Sequence, residues 1–127
     1  MTVVAISLGS NCGNRELSIS LAADWLCGIL QDYRKSHTYE TPCALNSQNR
    51  HYLNCVIIGK TELSISSLDR KLKEYEETHG RDSACRESGE VPVDIDIVIF
   101  DGEIIKKWDY RQRFFQIGYK ELAKAEV

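Results

Sequence analysis

The stretch "VPVDIDIVIFDG", residues 91–102, carries the reading of the fold. As a strand it places Val93, Ile95, Ile97 and Ile99 on one face and Asp94, Asp96, Val98 and Phe100 on the other. The first face is apolar throughout. The second begins with two acids and ends with two hydrophobes, so the carboxylates stand at the mouth of a core. Residues two apart on a strand lie ~6.6 Å apart along it. At an effective dielectric near 20, two ionised carboxylates at that spacing repel by roughly 2.5 kcal/mol. Water, a cation or a basic partner must offset that cost. Three readings are open: a solvated strand end, pairing with Arg or Lys elsewhere in the chain, or a site for a hard cation such as Mg²⁺, which takes oxygen ligands together with waters and substrate phosphates.

Upstream, "TVVAISLG" (2–9) is a short, nearly continuous apolar run suited to an interior strand, ended by the turn residues "SNCGN". From Asn14, a plausible cap, the period becomes helical, with Leu17, Leu21, Trp25, Leu26, Ile29 and Leu30 as its stripe. "SHTYETPC" (36–43) reads as extended up to Pro42, "ALNSQNR" (44–50) as a polar loop and "YLNCVIIGKTE" (52–62) as a strand. In "LSISSLDRKLKEYEETHG" Ser64 is the N-cap, Leu63 and Leu68 form a hydrophobic staple, and Ile65, Leu68, Leu72 and Tyr75 make the buried stripe, which Gly80 stops. A loop (81–90) leads into the acidic strand, and "RFFQIGYKELAK" forms a terminal helix. The order β-α-β-β-α-β predicts an α+β fold of ferredoxin-like, split βαβ type, an antiparallel sheet with two helices packed on it and a short C-terminal extension. Residues 1–127 are expected to form one domain.

A formal net charge of −3 provides no global basic field, and the strands lack the paired aromatics that stack bases, so no nucleic-acid partner is expected. No window is long and apolar enough for a membrane partner, and the N-terminus lacks the basic region of a signal peptide. Five cysteines without a CxxC spacing fit reduced thiols, several of them in the core. A cytoplasmic monomer is expected. His37, His51 and His79 read as surface or loop residues and Trp25 as core.

The motifs "SLGSN", "YET" followed by Pro, "YLN", "GR" and "DIDIVIF" occur in this order over residues 5–102, with a weaker continuation through "WDYRQRFF". Together they resemble the 6-hydroxymethyl-7,8-dihydropterin pyrophosphokinase family, whose members move a pyrophosphoryl group from ATP to a pterin hydroxymethyl in folate biosynthesis. The resemblance implies that Asp94 and Asp96 hold two Mg²⁺ ions against the ATP phosphates. It implies that Tyr52 and Phe115 sandwich the pterin, that Asn54 reads its hydrogen-bonding edge, and that main-chain groups around Thr41, Pro42, Cys43 and Ala44 complete that recognition. Arg81 and Arg113 would hold phosphates and act in catalysis, with Arg86, Lys107 and Trp108 beside the nucleotide. Phe114 adjoins Phe115, and the sequence leaves open which of them faces a pocket.

The pattern also departs from the family's. Val91 stands where family members usually carry an arginine, Lys107 where they carry a histidine, and the customary proline-containing segment after the aromatic is missing. Valine cannot donate to a phosphate, so Arg86 or Lys107 would have to compensate. The resemblance thus implies either a divergent ATP- and Mg-dependent pyrophosphokinase or a catalytically weakened relative that binds pterin or nucleotide.

Overall fold

The computed structural model describes residues 1–42, 51–80 and 90–124. Its elements run β1 (Thr2–Ser10), α1 (Arg15–Ile29), β2 (Gln31–Lys35), β3 (Tyr39–Pro42), β4 (His51–Thr61), α2 (Ile65–Thr78), β5 (Asp94–Phe100), β6 (Glu103–Ile104), α3 (Lys107–Arg111) and α4 (Arg113–Lys124). The six strands form one antiparallel sheet in the order β2-β4-β1-β5-β6, with β3 also paired to β4. Counting β2 and β3 as one interrupted strand recovers the expected split βαβ order, since β4 pairs with β2 near its C-terminal end and with β3 at its N-terminal end.

Alternation along β1 separates two cores. Val4, Ile6 and Leu8 face a larger cluster with Ile19, Ala22, Ala23 and Leu26 of α1 and Leu68, Leu72 and Tyr75 of α2. Ala5 faces a smaller cluster on the opposite side with Val56, Val98, Phe115 and Leu122. The two predicted helices therefore share one face of the sheet and α4 covers part of the other. Gly118 permits this docking, because a Cβ there would lie 2.7 Å from a Val56 methyl and 2.9 Å from both the Ser36 and Tyr39 hydroxyls. The Tyr39 hydroxyl donates to the Phe114 carbonyl at 2.5 Å and accepts from the Gly118 N–H at 3.1 Å, and burial raises its pKa well above the ordinary phenol value.

The helix caps are as read. Asn14 Oδ1 accepts from the Leu17 N–H and the Ser64 hydroxyl from the Ser67 N–H. The stripe of α1 is not. Leu17 and Leu21 are about half exposed, and the buried positions are Ile19, Ala22, Ala23 and Leu26. Both sets recur at helical spacing, and the small alanines let the helix lie close on the sheet. Trp25 is half-buried and stacks on Tyr75 between α1 and α2, with ring centroids 4.5 Å apart. The three histidines are exposed, as expected.

The acidic strand departs from simple alternation. Ile6 pairs with Ile97 but Ala5 pairs with Ile99, so β5 carries one extra residue, Val98, as a bulge. Beyond it the faces exchange: Ile99 packs with the second cluster and Phe100 with the first, the reverse of the expected assignment.

Candidate active site

The candidate site lies on the face of the sheet that carries the second cluster, at the end where β1 finishes and β4 and β5 begin. Register aligns the side chains there. Asn54 and Asp94 lie on either side of Gly9, and Tyr39 pairs with Asn54. One row further in, Val56 and Asp96 flank Ser7, and Thr41 pairs with Tyr52 at the outer end. Gly9 matters because it has no side chain. A Cβ there would meet the Tyr52 ring at 3.3 Å and Asn54 Oδ1 at 3.7 Å, so its absence lets the tyrosine lie against the sheet.

Asn54 is almost wholly buried. Its Nδ2 donates to the Thr41 hydroxyl at 2.8 Å and approaches the carbonyls of Tyr39 and Tyr52 at 3.2 Å. Two carbonyls can only accept, which fixes the amide with nitrogen toward the strands. The Oδ1 is left facing the space above Gly9 as an acceptor.

On the opposite side of Gly9 the carboxylates sit on an incomplete edge. Among the described residues β6 pairs only with Ile99 and Phe100, so on the side away from β1 the start of β5 has no neighbouring strand. Side chains of α2 take that strand's place: Glu76 accepts from the Ile95 N–H at 2.7 Å, and the Lys73 ammonium donates to the Ile95 carbonyl at 3.1 Å. Lys73 also reaches Asp96 Oδ1 at 3.2 Å and Glu76 at 3.4 Å. A second ammonium, that of Lys106, sits on the same Asp96 oxygen. Its position follows from the bulge, since the Val98 carbonyl accepts from the N–H groups of both Ile105 and Lys106 and draws that segment against β5.

Burial by itself would raise the Asp96 pKa, but the Lys73 charge, the Lys106 hydrogen bond and charge, and a hydrogen bond with the Asp94 carboxyl hold it below the ordinary aspartate value. Lys73 is likewise kept charged: burial opposes its ammonium, and Asp96, Glu76 and Asp94 outweigh burial. Asp109 on α3 is shifted upward by its own burial and by the Asp96 charge. Of the three readings of the carboxylate pair, pairing with distant basic residues is therefore realised for Asp96. Lys73, Glu76, Lys106 and Asp109 were not singled out from the sequence. They come from α2, α3 and the turn between β6 and α3, and their only sequence signal is charge on otherwise ordinary elements.

The remaining predicted residues are distributed as follows. Phe115 is fully buried beneath Tyr110 and Tyr119, whose rings lie 5.9 and 5.1 Å away, whereas Phe114 is half-buried and tilts against the exposed Trp108 at 6.0 Å. Lys107 and Arg113 are exposed at the first positions of α3 and α4. Pro42 is exposed at the end of β3 and Thr41 is buried beside Asn54. Val91 is engaged through its main chain, its N–H donating to Asn11 Oδ1 at 2.6 Å and its carbonyl accepting from the Asn11 N–H at 2.9 Å. Cys43, Ala44, Arg81 and Arg86 lie outside the described residues.

Comparison with known proteins identifies the family. Residues 5–124 match the family model of 7,8-dihydro-6-hydroxymethylpterin-pyrophosphokinase. The chain is 32% identical over 106 residues to the 2-amino-4-hydroxy-6-hydroxymethyldihydropteridine pyrophosphokinase of Aquifex aeolicus, covering 84% of this chain and 66% of that protein. It is 33% identical over 106 residues to the folate synthesis bifunctional protein of Chlamydia trachomatis, covering 79% of this chain and 23% of that one. Against the folate synthesis bifunctional protein of Arabidopsis thaliana the identity is 36% over 103 residues, covering 76% and 20%. The chain spans less than a quarter of the length of these bifunctional relatives. With almost its whole length matched, the chain belongs to the 7,8-dihydro-6-hydroxymethylpterin-pyrophosphokinase family.

Proposed function

We propose that this chain transfers the pyrophosphoryl group of ATP to the hydroxymethyl group of 6-hydroxymethyl-7,8-dihydropterin, releasing AMP. One observation carries the reading: Tyr52 and Asn54, suited to a flat heteroaromatic, and Asp94 and Asp96, suited to a metal–phosphate group, stand on the same face of the sheet with only Gly9 and Ser7 between them. The ring would lie on Tyr52, with Asn54 Oδ1 accepting from an N–H of its edge. The hydroxymethyl oxygen would then point toward the carboxylates. There it attacks the β-phosphorus in line; a C–O–P bond forms, the bond from that phosphorus to the α-bridging oxygen breaks, and the hydroxyl proton passes to solvent. No side chain is needed as a covalent nucleophile.

The carboxylates fit Mg²⁺. Their donors are hard oxygens, and four carboxylates (Glu76, Asp94, Asp96, Asp109) face two ammonium groups (Lys73, Lys106), which leaves a formal negative balance. Among the described residues no group of three or more His, Cys, Asp or Glu is placed to hold a metal ion, so the fit rests on the oxygen donors of Asp94 and Asp96. Asp94 and Asp96 would hold the ions, which when bound neutralise charge on the phosphates. Arg113 and Lys107, exposed where α4 and α3 begin, would contact the nucleotide with Trp108, and Arg81 and Arg86 would add to them. To stack on Phe115 a pterin would require Tyr110 or Tyr119 to turn aside, whereas Phe114 needs less displacement.

A second reading, a pterin- or nucleotide-binding protein without turnover, is favoured by Val91, whose side chain offers no donor and whose main chain is committed to Asn11. Purified protein supplied with ATP, Mg²⁺ and the hydroxymethyl dihydropterin separates the two. AMP formation dependent on both substrates supports transfer, and pterin-induced thermal stabilisation without AMP supports binding alone.

A further inference from the structure

Two ammonium groups share Asp96 Oδ1, and they are held very differently. Lys73 Nζ has three acceptors, the Ile95 carbonyl at 3.1 Å, Asp96 at 3.2 Å and Glu76 at 3.4 Å, and these tie it to the sheet edge. Lys106 Nζ has Asp96 as its one partner among the described residues. Its side chain is 40% exposed, close to the 38% of Lys73, so it is the number of acceptors and not exposure that separates the two. The main chain of Lys106 is anchored, its N–H at 3.3 Å from the Val98 carbonyl, so the ammonium can leave Asp96 and still remain within a side chain's length of the carboxylates. Lys73 has the contacts of a fixed structural cation and Lys106 those of a removable one.

We infer that Lys106 is a displaceable counter-ion: its ammonium caps Asp96 while no divalent cation is there, and it gives up that oxygen when one binds. The inference rests on the reading of Asp94 and Asp96 as a metal–phosphate site. Its physical basis is that Asp96 Oδ1 already carries two ammonium groups, so a divalent cation arriving there adds like charge at contact, and the ammonium with the fewest other acceptors is the one that yields. The arrangement offsets the desolvation of Asp96 in the unloaded protein and makes the site less demanding of metal. Once displaced, the ammonium is a cation beside the place where phosphate oxygens would arrive. Lys106 is thus a positioning residue for metal and phosphate.

The test is a titration of wild type, Lys106→Met and Lys106→Arg with Mn²⁺, followed by its electron paramagnetic resonance in the absence of ATP and pterin. Removing a charge-assisted hydrogen bond that competes with the ion should tighten Mn²⁺ binding of Lys106→Met by about tenfold or more, and Lys106→Arg should stay close to wild type. In ¹³C spectra of lysine-labelled wild type, Mg²⁺ should shift the Lys106 Cε signal more than that of Lys73. Equal or weaker Mn²⁺ binding by Lys106→Met overturns the inference, as does a Lys73 signal that moves while Lys106 does not. Because no substrate is present, these results are independent of turnover: failure to form AMP would count against pyrophosphoryl transfer and leave the displacement standing.

Discussion

Replacing Glu76 tests how the acidic strand is held. Its carboxylate is buried and takes the Ile95 N–H at 2.7 Å, on an edge where no strand among the described residues does so. Glu76→Ala leaves that N–H without its charged acceptor, a loss of about 1.5–3 kcal/mol. It also removes the 3.4 Å contact to Lys73, a lysine that is 38% exposed and keeps two other acceptors, which adds less than about 1 kcal/mol. The sum, about 2–4 kcal/mol, corresponds to a fall in Tm of about 6–16 °C for a chain of this size. Glu76→Gln keeps an oxygen acceptor and loses only the charge, so about half that fall is expected. Thermal unfolding gives the stabilities, and amide hydrogen exchange should speed up at Ile95 in the alanine variant. A Glu76→Ala protein within about 0.5 kcal/mol of wild type, a change no larger than an ordinary surface substitution gives, would refute the reasoning. So would a glutamine variant as unstable as the alanine one, which would place the whole effect in charge pairing.

Gly9→Ala should leave stability within about 1 kcal/mol, since the added methyl meets the edge of a movable tyrosine ring at 3.3 Å. By pushing Tyr52 off the sheet it should raise the dissociation constant for the pterin about 5- to 100-fold, measured calorimetrically, with ATP affinity little changed. Gly118→Ala meets a Val56 methyl and two hydroxyls at under 3 Å and should destabilise by about 2–3 kcal/mol or more, read from urea unfolding. Asp96 carries a folded pKa below its unfolded value, so the stability it contributes is complete above about pH 3.9 and is lost as pH falls through the folded value. The stability gap between wild type and Asp96→Asn should therefore be widest near neutrality and close under acid conditions, in unfolding curves taken from pH 7 downward.

Much of the fold was legible because its interior elements carry clear patterns: β1 and β4 are apolar runs, and α2 announces itself with Ser64, the staple of Leu63 on Leu68, and a single stripe. The strand β2, "QDYRK", was not read, because an edge strand with nearly every residue exposed has no hydrophobic alternation to show. In α1 two apolar stripes compete, and only contact with the sheet decides that the alanines go inside. The bulge at Val98 has no sequence mark, since the valine suits a strand whether bulged or regular. In the site, Asp94, Asp96, Tyr52 and Asn54 could be named because they fall in ordered motifs on predictable strands. Lys73 and Lys106 could not, because nothing local in the sequence says that a lysine of α2 and one beyond β6 converge on one carboxylate oxygen.

That convergence changes the question posed by two aspartates on one strand. Their repulsion is answered from the open edge of β5, and the edge is open because β6 pairs only beyond the bulge. The same bulge turns the Val98 carbonyl to both Ile105 and Lys106, so one extra residue in β5 both limits the neighbouring strand and delivers the second ammonium. At the strand's start the Val91 main chain is clamped to Asn11, which follows β1, and this fixes where the segment enters the sheet without using the valine side chain. A side chain at position 91 is thus dispensable for placing the aspartates, and positive charge beside them already comes from α2 and from Lys106. A valine at position 91 offers no side-chain donor, and the main-chain clamp on Asn11 holds the segment without one.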